Sequence, residues 1–183
     1  MENVSDARIM LARAVECVPH SVEMWLALAK LETHENARKV LNQAREAVPT
    51  ERATWITAAK LEEAHGNGHL VGRIVEKMIV SLAQYQVVID REAWLKEAEE
   101  CEQAGAILTC VAIVRNTVHL GVDPEDRLKT WMDDADAMLA HSPPAKETAR
   151  AIYAYALEVF PTKKLLWQMA AMLVMPDFLL RGS

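Results

Sequence analysis

Five tryptophans, Trp25, Trp55, Trp94, Trp131 and Trp167, divide the chain at intervals of 30 to 39 residues. Each is followed four positions later by an alanine: Ala29, Ala59, Ala98, Ala135 and Ala171. A large ring and a methyl group one turn apart share a helix face, as close packing on a neighbouring helix requires. Self-similarity at such a period marks stacked helical repeats, in which each unit buries its apolar face on the next. These spacings predict an all-α fold, a right-handed superhelical solenoid of antiparallel helix pairs.

A longer pattern surrounds three of the tryptophans without gaps. It runs Ala7-Arg8, Ala14, Pro19, Trp25; then Ala37-Arg38, Ala44, Pro49, Trp55; then Ala149-Arg150, Ala156, Pro161, Trp167. Ala7, Met10, Leu11 and Ala14 fall at i, i+3, i+4 and i+7, one stripe of a helix. Pro19 ends that helix, because it lacks an amide hydrogen and clashes with the preceding turn. Trp25, Leu28, Ala29 and Glu32 then form the stripe of the next helix. Two further copies are degenerate. Ile74, Val75 and Met78 hold the stripe in one, where Gly72 replaces the arginine; Cys110, Ile113, Val114 and Thr117 hold it in the other. Both lack the proline and have longer links, residues 85–90 and 121–125, the first strand-like in composition but expected to be a loop.

The expected organisation is a single array over residues 1–183. It comprises four complete helix pairs over about 20–161, half-units at 3–18 and 162–174, and an irregular tail at 175–183. Because repeat arrays need polar end caps, Val15, Val18, Leu173 and Val174 predict either an excerpt of a longer array or ends that pair with other chains, self-association included. Composition fits a packed core: 51% of residues are hydrophobic, with only six glycines and seven prolines. Net charge is −6 and no basic stripe is visible, which argues for protein rather than nucleic-acid partners. No apolar run reaches membrane-spanning length, and the first twenty residues are charged throughout, unlike a signal peptide. Three cysteines without a repeating spacing read as buried thiols of a reducing compartment.

Few residues suggest chemistry, and no catalytic, cofactor or metal site is assigned. The segment His65-Gly66-Asn67-Gly68-His69 could offer metal ligands or a phosphate cradle, but no strand precedes it, and it reads as an inter-helix turn. Cys101 and Cys110 lack a second ligand pair for zinc. Glu97, Glu99, Glu100 and Glu102 form one acidic row, and Asp133, Asp134 and Asp136 another. Both read mainly as solvated helix faces; Glu99, Glu102, Asp133 and Asp136 are the candidates for docking a basic partner segment. Glu32 and Arg38 are expected to form an ion pair, and Trp55 to carry the most packing energy.

Tryptophan, a glutamate seven positions on (Glu32, Glu62), Ala-Arg followed by apolar residues, and a terminal proline resemble the half-a-TPR (HAT) repeat family. The stretches 37–67, 91–105 and 149–167 are more specifically similar to the pre-mRNA-processing factor six family, a resemblance that covers roughly residues 5–172. The resemblance implies a nuclear, non-enzymatic scaffold in pre-mRNA splicing that bridges proteins of the spliceosomal tri-snRNP. The alternatives are a HAT subunit of another RNA-processing complex, or one that contacts RNA itself.

Overall fold

The structure is a computed structural model that describes residues 2–88 and 90–174. Among them are ten α-helices and no strand: α1 (Glu2–Cys17), α2 (Val22–Leu31), α3 (His34–Ala47), α4 (Arg52–Ala64), α5 (Val71–Gln84), α6 (Arg91–Gln103), α7 (Ile107–Thr117), α8 (Arg127–Ala140), α9 (Lys146–Val159) and α10 (Lys164–Val174). The chain divides into two compact units, Met1–Val88 and Ile89–Ser183. In the first, α2 with α3 and α4 with α5 form helical hairpins, α1 packs on α2, and α3 packs on α4. In the second, α6 pairs with α7 and α8 with α9, while α9 also packs on α7 and α10. Each unit is thus a stack of helix hairpins, the architecture of a helical repeat. The tail at 175–183 lies outside the described residues.

Helix ends follow from local chemistry. Pro19, Pro49 and Pro161 each come directly after the C-cap residue, Val18, Val48 or Phe160, whose own amide still donates to a carbonyl four residues back. The proline, with no amide to donate, then stops the helix. Helix α4 ends differently: the Gly66 amide donates to Glu63 and the Asn67 amide to Glu62, with Gly66 at φ +78°. This paired closure needs a left-handed residue, which glycine supplies without steric cost. The same closure ends α5 at Gln86, φ 55°. The 85–90 link is irregular through Val88; Ile89 is outside the described residues.

The ring-and-methyl faces form the core of each unit. Trp25, Trp94 and Trp131 are buried, as are Ala29, Ala59, Ala98 and Ala135. Val15, Trp25, Leu28, Ala44 and Val48 make one cluster spanning α1, α2 and α3. Two expectations are corrected. Trp55 is only partly buried, so Trp131, 1% exposed, is the most deeply packed of the set. Met10, placed on the inner stripe by spacing, is 71% exposed; helix α1 is rotated so that Val15 covers Trp25 instead. Trp167 is 57% exposed, although its indole N–H still donates to the Pro161 carbonyl at 2.9 Å, as Trp25 does to Pro19 at 2.8 Å.

Candidate docking groove

Two glutamates tie successive hairpins together. Glu62, on α4, is buried: Arg38 Nε approaches one carboxylate oxygen to 2.7 Å, and Asn67 donates to the other at 2.8 Å. His34 Nε2 lies 3.4 Å from the same carboxylate, with its ring stacked on His65 at 4.0 Å. One repeat earlier, Glu32 pairs with Arg8 at 3.6 Å and accepts from Asn36 at 3.2 Å. The expected Glu32–Arg38 pair is therefore corrected. Each glutamate reaches the arginine of the helix before its own, since the hairpin turn points Arg38 towards α4. Cys101 and Met138 occupy the corresponding positions after Trp94 and Trp131, and both are buried.

Beside Glu62 opens a cleft of about 200 Å³ between α3 and α5, floored by α4. Arg38 and Arg45 project from α3, Arg73 and Lys77 from α5. Leu41, Ala58, Leu61 and Ile74 supply apolar lining between them. Arg45 lies over the Trp55 ring, 4.6 Å from its centroid, and its guanidinium donates to Asn42. Burial lowers the pKa of Arg45 from its ordinary value, yet a guanidinium stays charged at neutral pH. The cation over the ring gives a geometry that favours attraction and holds the guanidinium in place. Arg73 and Lys77 make no ion pair among the described residues. Sequence reasoning missed this cleft because its four cations come from helices distant in the chain and form no run.

The acidic rows lie in the second unit and serve largely as inter-helix contacts. Glu102 receives the backbone amides of Glu147 and Thr148 and the Thr148 hydroxyl, each at 2.8 Å, so it closes the N-terminus of α9. Such a carboxylate satisfies donors that the helix leaves open and faces the positive end of its dipole. Glu99 lies 3.0 Å from His141 Nδ1. Asp134 pairs with Arg91, and Asp136 accepts from the Tyr153 hydroxyl at 2.8 Å. Asp133 is exposed. Arg150 binds Glu147 and the Leu173 carbonyl, while Ala37 and Ala149 are fully packed. Segment 65–69 is the turn between α4 and α5. Among the described residues no group of three His, Cys, Asp or Glu converges as a metal site, and no helix is long and apolar enough to cross a membrane.

No family model matches the chain. Human pre-mRNA-processing factor 6 is 59% identical over 109 residues, which is 60% of this chain and 11% of that protein. Pre-mRNA-splicing factor prp1 of Schizosaccharomyces pombe is 51% identical over 142 residues, 78% of this chain and 16% of that relative. Protein STABILIZED1 of Arabidopsis thaliana is 53% identical over 56% of this chain. The chain thus spans only 10–16% of the length of these relatives. Over the matched residues, the chain is a homologue of pre-mRNA-processing factor 6 and its prp1 and STABILIZED1 counterparts.

Proposed function

We propose that the chain acts in the nucleus as a non-enzymatic scaffold segment of pre-mRNA splicing, bridging proteins of the spliceosomal tri-snRNP. The observation that carries this reading is the 51–59% identity to splicing factors over hairpin repeats. Identity at that level preserves the packing of the hairpins, and stacked hairpins offer extended surfaces for protein partners. The chemistry of the acidic residues agrees. Glu62, Glu102 and Asp134 hold helices together, the work of a frame rather than of acid–base catalysis.

Affinity capture of nuclear-extract proteins by the purified chain, followed by mass spectrometry with and without nuclease, tests the proposal. Tri-snRNP proteins should be recovered in both arms. Recovery that disappears with nuclease would transfer the reading to direct RNA contact, and recovery of no splicing protein would remove it.

A further inference from the structure

We propose that the α3–α5 cleft docks an acidic segment of a partner protein, two or three carboxylates flanking one apolar side chain; this rests on the scaffold reading above. The repeat supplies its own control. The preceding repeat has an equivalent cleft, about 360 Å³, between α1 and α3 over α2, and the glutamates Glu32 and Glu62 mark the same position in the two. Val15 stands there where Arg45 stands in the second cleft, Ala12 where Asn42 stands, and Gln43 where Lys77 stands. Leu157 and Ala154 hold the first two positions in the copy containing Trp167. The first cleft is lined by Glu16 and Glu32, and with Arg8 paired to Glu32 its formal charge is −1; the second, with four cations against Glu62, carries +3.

Packing therefore does not require these cations. Val15 covers Trp25 by apolar contact, whereas Arg45 covers Trp55 and brings a charge with it. In a chain of net charge −6, a +3 cleft whose Arg73 and Lys77 make no ion pair among the described residues attracts an anion. A carboxylate matches the fork of a guanidinium, and charged hydrogen bonds strengthen where water is excluded. The floor decides between a peptide and a nucleic acid. Leu61 and Ile74, only partly buried where they pack on the Leu41 and Ala58 core, present apolar surface to an aliphatic side chain, and the nearby Trp55 ring is covered by Arg45 rather than open for a base to stack on. Carboxylates meet the walls and the anchor meets the floor.

A display selection on the purified chain tests this, with a library of peptides from natural proteins. The comparison is the variant Arg45→Val with Lys77→Gln, which installs the residues of the neighbouring repeat and so suits the fold; an unchanged melting curve verifies that. Enriched peptides should share acidic residues around one apolar position. A synthetic peptide of that consensus should bind the variant about tenfold or more weakly. No enrichment, a consensus without acids, or equal binding to the variant would each overturn the proposal. Binding of oligo(U) RNA, steeply salt-dependent and lost in the same variant, would assign the cleft to nucleic acid instead. If the cleft fails while tri-snRNP proteins are still captured from extract, the scaffold reading stands without it; if capture also fails, both fall.

Discussion

Glu102→Ala separates a docking residue from a structural one. If Glu102 were a solvated acid held ready for a partner, truncation would leave stability within about 0.5 kcal/mol, as for most surface substitutions. The structure predicts otherwise. The carboxylate accepts three hydrogen bonds at 2.8 Å, two of them from the amides of Glu147 and Thr148 in the first turn of α9. A lost helix cap costs about 0.5–2 kcal/mol, and loss of a partly buried charge from the dipole's positive end about 0.3–2 kcal/mol more. The Thr148 hydroxyl, on a residue with no exposed surface, also loses its acceptor. A total of about 2–3 kcal/mol follows, a fall of roughly 4–12 °C in Tm for a chain of this length. Glu102→Gln should lose less, since an amide oxygen still accepts. Circular dichroism melts give the magnitude, and hydrogen exchange at the Glu147 and Thr148 amides gives the location. A Glu102→Ala protein that melts with the parent, with those amides still protected, would refute the reasoning.

The tryptophans should rank by burial rather than by sequence match. Trp131→Ala removes a ring that meets Tyr155 at 5.2 Å and Phe160 at 6.0 Å; it should cost about 3–5 kcal/mol in chemical denaturation. Trp167→Ala, on a ring more than half exposed, should cost about 1 kcal/mol or less; equal losses would contradict the burial order. Thiol labelling at pH 8 should modify exposed Cys17 quickly and Cys110 only on unfolding, because burial pushes the Cys110 thiol from 9.0 up to about 12. The neutral thiol is favoured in the folded state. Cys110 therefore adds stability below pH 9 that is lost as pH rises from 9 towards 12. Rapid native labelling of Cys110, or no such loss in a pH series compared with Cys110→Ala, would contradict this.

Whatever a single helix decides could be read from its residues alone. Spacings of three and four residues put Trp25, Leu28 and Ala29 on one face, and Pro19 and Pro49 set where helices stop, because backbone geometry is local. The splicing resemblance was legible for a related reason: rings, glutamates and prolines recur at fixed separations. Tertiary structure decided how one helix is turned against another. Nothing in the local pattern of Glu32 distinguishes Arg8 from Arg38 as its partner; the direction of the hairpin does. Glu102 looks solvated in sequence and becomes a cap only because α9 brings its amides there, some 45 residues on. The cation cleft is of the same kind. Arg45 and Lys77 lie far apart in the chain, and only side-by-side packing of α3 and α5 sums their charges, since charge interactions depend on distance in space. Aligning Arg45 with Val15 and Leu157 would have flagged the exception, but not the groove it faces.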